Sequence, residues 1–248
     1  MDRGTATRHG TALPLAGGAA VEDPLALVAR MAREGVHELA AQAHGDAPAC
    51  TGLALAALAP ARAGAVLWVF QGPARRAHGM LSARGARAMG FDPGRLIAVR
   101  AERLLDALWT VEEGLGSGAV AAVVAEVEDA SFTATRRLSL AAARGGVPAF
   151  LALPHRREGA TAAATRWRVA SRPAAPDPWD AAAPGAMRWQ ARLERARIAP
   201  ALAGRTVVLE FDAAAGRLAA VPERAAQSSA AARPAPATSP AAGWRRAG

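Results

Sequence analysis

The chain of 248 residues carries a net charge of +9. All of its basic residues are arginine, and lysine, asparagine and tyrosine are missing altogether. Its apolar half is mostly alanine and poor in aromatics, which predicts a lean core rather than whole-chain disorder. No apolar run approaches the ~18 residues of a transmembrane helix, no apolar stretch follows the first charges as in a secretory signal, and the lone Cys50 excludes an internal disulfide framework or a multi-cysteine metal site, so a cytoplasmic setting is expected. A coding bias toward arginine accounts for the composition; the charge still favours a polyanion or an acidic partner.

In chain order, residues 1–24 read as a flexible lead, with Asp23-Pro24 and the apolar Leu25, Leu27, Val28 and Met31 suggesting a short helix where they end. From there short apolar runs alternate with longer amphipathic ones, the pattern of β-α-β units on a mostly parallel sheet. Val36–Ala41 predicts a first strand, 53–63 a helix, Val66–Phe70 a second strand and 80–90 a return helix. Arg95–Arg100 follows as the third strand. Residues 102–115 predict a Leu-rich helix that places Trp109 in the core and ends at Gly114, Gly116 and Gly118. The continuous apolar run 119–127 reads as a central strand buried on both faces. Ser131 or Thr133 is placed to cap the next helix, which runs to Ala143 with Arg144 in its last turn. Residues 147–153 give a fifth strand. Beyond it, Thr165–Ser171, Met187–Arg195 and Thr206–Asp212 alternate polar with apolar residues and predict three antiparallel strands at one end of the sheet, the last turning at 212–216 into Arg217–Val221. Residues 172–185 read as a surface loop, and 223–248, reduced to Ala, Ser, Pro and Arg, as a disordered tail in which Trp244 beside Arg245 and Arg246 forms a short binding tag. The expected organisation is one domain over 25–222 between two irregular ends.

The first strand, the loop 42–52 and the following helix have the topology of a nucleotide-binding phosphate loop. Such a loop needs glycine amides around the phosphates, a lysine on the outer ones and a hydroxyl on magnesium. Gly45, Gly52 and Thr51 are in place. The lysine is not, Pro48 removes an amide, and Asp46 adds negative charge where a triphosphate would bring more. Hydrolysis also needs a carboxylate to orient water, yet no Asp or Glu occurs from Ala47 to Phe91. Glu126, with Glu128 and Asp129, is the acid at the end of the central strand, either a magnesium ligand or an ordinary strand-end residue. His37 reads as structural, Cys50 as a packed thiol, Trp68 and Trp167 as core, and the histidines lack zinc spacing.

Several stretches together resemble the ImuA family, the RecA-like proteins of bacterial mutagenesis cassettes. They are Gly-Val-His-Glu-Leu at 35–39, Thr-Gly-Leu-Ala-Leu-Ala-Ala-Leu at 51–58, Val-Leu-Trp-Val at 66–69, 91–100, 106–113, 119–127, Thr-Arg-Arg-Leu-Ser-Leu-Ala-Ala at 135–142, and Ala-Thr-Arg-Trp-Arg-Val-Ala-Ser at 164–171. The resemblance covers about residues 25–222. It implies an α/β fold, a RecA-like mostly parallel sheet flanked by helices with an antiparallel C-terminal extension, and a degraded phosphate loop at Gly45, Asp46, Thr51 and Gly52. It also implies a non-catalytic accessory role in SOS-induced translesion synthesis, beside an ImuB-like polymerase-related partner and an error-prone DnaE-type polymerase, with RecA and single-stranded DNA as further contacts. ATP with magnesium is a doubtful cofactor on this reading, because the lysine and the water-orienting acid are missing. The loops facing DNA in such folds match 128–135 and 155–163, which makes Arg136, Arg137, Arg156, Arg157, Arg166 and Arg168 the candidates for phosphate contact. The charged face of 188–197 is expected at a sheet edge, open to a partner. A RecA-like DNA-dependent ATPase and a SulA-like cell-division inhibitor remain as alternatives.

Overall fold

The computed structural model describes residues 23–60, 63–72, 79–177, 179–180, 183 and 185–222. The expectations for 1–22 and for the tail with Trp244 lie outside the described residues. The elements are α1 (Pro24–Met31), β1 (Val36–Ala41), α2 (Ala47–Leu58), β2 (Val66–Gln71), α3 (Ala83–Ala88), β3 (Leu96–Ala101), α4 (Leu104–Ser117), β4 (Ala122–Glu126), α5 (Phe132–Gly145), β5 (Ala149–Leu153), β6 (Thr165–Arg172), β7 (Arg188–Ala196), β8 (Thr206–Asp212) and β9 (Arg217–Val221). Local chemistry sets several starts. Asp23 accepts the Ala26 amide at 2.8 Å at the head of α1, and Ser131 accepts the Ala134 amide at 3.2 Å at the head of α5, each satisfying an amide that has no partner within its helix.

The strands form one nine-stranded sheet in the order β3-β2-β4-β5-β1-β6-β7-β8-β9. Strands β3 to β6 in that order are parallel, and β6 to β9 antiparallel. Because side chains alternate across a strand, β1 divides its residues between two cores. Leu39 and Ala41 face the layer of α1 and α2 with Leu53, Trp68, Phe150 and Trp167. Val36 and Ala40 face the layer of α4 and α5 with Val111, Leu115, Leu138 and Leu151.

Five expectations are corrected by this arrangement. The strand at Thr165 runs parallel to β1, not antiparallel. Its alternation of arginine with apolar residues does not mark a solvated face, because Arg166 is 3% exposed. Strand β7 lies inside the sheet between β6 and β8, so the charged face of 188–197 is not at an edge; the edges are β3 and β9. Trp109 is 61% exposed, not core. The buried stripe of α4 is Ala107, Val111 and Leu115, and two residues on from Ala107 is roughly 200° around the axis. Finally, α4 does not stop at Gly114. It runs to Ser117 and is capped by Gly118, whose φ of 64° is the left-handed turn that glycine permits. Gly114 lies inside because a Cβ there would collide with the Leu67 side chain of β2, so its absence lets the helix lie close on the sheet.

Candidate functional site

The parallel strands β1, β4 and β5 end on one side of the sheet, where a cleft of about 990 Å³ opens. Ligand crevices of open α/β sheets lie outside such carboxyl ends. Its walls are the start of α2, the segment 79–89, the strand-end residues Glu126 to Asp129, the turn from Leu153 to Glu158, and Met187 with Trp189.

After β1 there is no open glycine loop. Residues 44–46 form a short 3-10 turn, and α2 begins at Ala47, six residues before the expected start, so that Thr51 and Gly52 lie in the helix. Asp46 closes the turn on itself. One carboxylate oxygen accepts the Ala43 amide at 3.1 Å and the other accepts the Ser171 amide of β6 at 2.8 Å. The carboxylate thus takes amides of the kind that a phosphate would take. Pro48 sits in the first turn of α2, where its missing N–H costs nothing. Gly52 is required by packing: a Cβ there would stand 3.0 Å from the Trp189 ring. Gly45 touches nothing within reach of a Cβ.

Across the cleft, Glu126 ends β4. It accepts the Trp68 indole N–H at 3.0 Å and faces the Thr51 hydroxyl at 3.5 Å. Burial pushes its carboxyl above the ordinary range, and the two hydrogen bonds oppose that shift only in part. The fold therefore unites the hydroxyl and the strand-end acid that the sequence singled out. Trp68 is core, as expected, but also the acid's chief hydrogen-bond donor, a role that its apolar surroundings did not announce. The described lining carries four carboxylates, Glu126, Glu128, Asp129 and Glu158, against two guanidiniums, Arg156 and Arg157. Among the described residues, no three His, Cys, Asp or Glu side chains gather as a metal site.

The candidate arginines separate into two groups. Arg157 and Arg166 are 7% and 3% exposed and turn inward to the fully buried Glu38 of β1. Arg157 Nη2 donates to Glu38 at 3.1 Å, Arg166 Nε donates to its other oxygen, and the Thr161 hydroxyl adds a bond of 2.7 Å. Arg168 grips Glu194 with two bonds of 2.9 and 3.1 Å and donates to the carbonyls of Ala41, His155 and Arg157. Arg136, Arg137 and Arg156 are exposed, with Arg137 paired to Glu112 at 2.6 Å. Sequence reasoning passed over Glu38. The signal available was an acid inside a six-residue strand whose every position is buried.

His37 is structural. The Glu34 carbonyl accepts its Nε2–H at 2.8 Å, so Nδ1 accepts the Thr165 hydroxyl at 2.8 Å, and Thr165 Oγ1 in turn accepts the Trp167 indole at 3.0 Å. Burial lowers its pKa to about 4, leaving the ring neutral. Burial likewise pushes the Cys50 thiol up, so it is no nucleophile near neutral pH.

No protein-family model matches the chain. Over 148 residues it is 39% identical to the protein ImuA of Caulobacter vibrioides, from strain NA1000 / CB15N and equally from strain ATCC 19089 / CIP 103742 / CB 15. The match covers 55% of this chain and 57% of each relative, so the chain spans little more than half the length of the curated relatives it matches. Among solved structures, SulA from Pseudomonas aeruginosa aligns at 24% identity with a TM-score of 0.39, over 48% of this chain and 97% of that one.

Proposed function

We propose that the chain, 39% identical to ImuA over 148 residues, is an ImuA-family protein and a non-hydrolysing, RecA-like accessory subunit of a translesion-synthesis complex. It binds an ImuB-like, polymerase-related protein and helps to bring an error-prone DnaE-type polymerase to damaged DNA, with catalysis belonging to that polymerase. The observation that carries this reading is the cleft. A RecA-type core keeps its nucleotide at the end of the first strand, and here that place combines a self-closed Asp46 turn, no lysine anywhere, and a described lining richer in carboxylates than in guanidiniums. A magnesium triphosphate would meet repulsion where an active enzyme supplies attraction. Thr51 and Glu126 would then be the remains of a magnesium site whose other half is lost.

What the chain presents outward suits partners instead. The outer face of α4 exposes Leu105 at 67% and Trp109 at 61%, one turn apart. An exposed tryptophan with an aliphatic neighbour is the type of anchor on which protein interfaces concentrate their energy. Single-stranded DNA falls to Arg136, Arg137 and Arg156, the candidate arginines left at the surface.

Co-purification from DNA-damaged cells tests the reading. The polymerase-like partner should come down with the wild-type chain and be lost with Trp109→Ala, whose own stability should change by no more than about 0.5 kcal/mol because the side chain packs largely against water. Recovery of the division protein FtsZ without any polymerase-like protein would overturn it in favour of a SulA-like inhibitor.

A further inference from the structure

A second, smaller pocket of about 320 Å³ lies on the β6–β7 side of the sheet, and arginine dominates its walls. Arg157, Arg166, Arg168, Arg192 and Arg195 line it against Glu158 and Glu194. The fully buried Glu38 already holds Arg157 and Arg166, and Asp129 stands 3.9 Å from Arg157.

Three observations make this arrangement unlike an ordinary solvated basic face. First, the strand register sets arginine opposite arginine three times, and two of those pairs, Arg166 against Arg195 and Arg168 against Arg192, line this pocket. Like charges directly across an antiparallel pair are destabilising unless something between them compensates. Glu194 compensates Arg168 alone. Second, two nearly fully buried arginines keep N–H groups without any hydrogen-bond partner, Arg166 at Nη2 and Arg157 at Nε. A buried unsatisfied donor on a charged group costs more than a neutral one, and native structures seldom leave it without a partner. Third, these donors belong to separate side chains. Arg166 is fixed by Glu38 and by the Gly159 carbonyl at 2.8 Å, and Arg157 by Glu38 and the Ala160 carbonyl at 3.1 Å. They cannot swing away to solvent, whereas Arg192 and Arg195 are exposed at the rim.

Held guanidiniums on one side and exposed ones on the other describe a receptor for a compact oxyanion of more than one charge. A carboxylate is satisfied by a single guanidinium fork, but four side chains approaching from separate positions suit a tetrahedral group with several oxygens. The geometry points to a phosphoryl-binding site, built by β6, β7 and the 155–161 turn, which shares Arg157 and Glu158 with the edge of the larger cleft. Free phosphate and a backbone phosphate of single-stranded DNA share this chemistry. The site does not depend on the mutasome reading, and loss of partner recovery would leave it intact.

The test is a titration of the full chain with inorganic phosphate at constant ionic strength, followed by phosphorus NMR and by thermal shift. Wild type should saturate. The rim variant Arg192→Gln with Arg195→Gln, whose side chains support no buried group, should weaken binding about tenfold or more with an unchanged circular dichroism spectrum. Arg166→Gln should abolish it, and the rim variant keeps the test decisive if Arg166→Gln fails to fold. Phosphate that never saturates, or a rim variant that titrates like wild type, would overturn the site. A second arm identifies the source. Displacement of a fluorescent single-stranded oligothymidylate by phosphate at fixed ionic strength assigns the pocket to a DNA phosphate, and saturable binding without displacement assigns it to the free ion.

Discussion

Glu38 and Glu126 are both carried on parallel strands of one sheet, one in the middle of β1 and one at the end of β4, and the protein treats their charges in opposite ways. Glu38 is fully buried between two guanidiniums and a threonine hydroxyl. Glu126, at the cleft, has an indole and a hydroxyl but no cation partner among the described residues, and burial raises its pKa. The difference shows where positive charge has been placed in this chain. It has been moved away from the site where a triphosphate would need it and gathered around β6 and β7, where it fixes the turn that follows β5. Arginine content alone says nothing of this, because the same +9 would read identically with the arginines arranged the other way.

The largest effect should come from unpairing Glu38. Arg166→Ala leaves a buried carboxylate with half of its compensation, which should cost about 3–5 kcal/mol in denaturant unfolding. Adding Glu38→Gln to that variant should recover part of the loss, since the half-compensated carboxylate is gone and Arg157 keeps the Ala160 carbonyl and Asp129 at 3.9 Å. If Arg166→Ala is no worse than a surface substitution, Glu38 is not held as described and the contrast with Glu126 fails.

A third group sharpens the comparison. His37, next to Glu38 on the opposite face of β1, is buried, and the cost of desolvating its charged form outweighs the opposing pull of Glu34, so its pKa falls from 6.5 to about 4. A base with a depressed folded-state pKa contributes stability that is complete above pH 6.5 and is lost as pH falls toward 4, because the unfolded ring takes up a proton that the folded one refuses. The slope should be about 1.4 kcal/mol per pH unit across that window. Unfolding free energies measured between pH 7 and 4 should show it, and His37→Gln should flatten it. An equal slope in the variant would assign the acid sensitivity to other groups.

The smallest effect is expected at Glu126. Glu126→Gln keeps an oxygen to accept the Trp68 and Thr51 bonds and removes the cost of a buried charge, so thermal unfolding should be unchanged or slightly raised, by about 0.5 kcal/mol at most. A large loss would mean that the carboxylate answers a cation in the cleft and is not the residue of a lost site.

Much of the framework was legible in the sequence because it rests on local chemistry. Val66–Phe70 is uniformly apolar and Val36–Ala41 is apolar but for His37 and Glu38, and both short runs were legible as strands. Ser131, Asp23 and Gly118 marked helix ends by the hydrogen bonds and the backbone angle that those residues supply. The direction of β6 was not legible. It depends on an eleven-residue crossover with no helix, and on arginines buried by a glutamate more than a hundred positions away, so polar alternation there meant pairing and not solvent. Trp109 misled for the reverse reason: aromatic size argues for burial, but helix phase decides it. At the cleft, the missing lysine was plain from composition. The closing of the turn by Asp46 was not, because it requires the Ser171 amide from a distant strand.

The central claim is that the cleft between α2 and β4 no longer turns over nucleotide, and steady-state ATP turnover by the purified full chain, with magnesium and single-stranded DNA present, tests it most directly. The account predicts a rate indistinguishable from that of buffer, for wild type and for Glu126→Gln alike. Turnover by the wild type that Glu126→Gln abolishes, in a variant that unfolds at the same temperature, would contradict it.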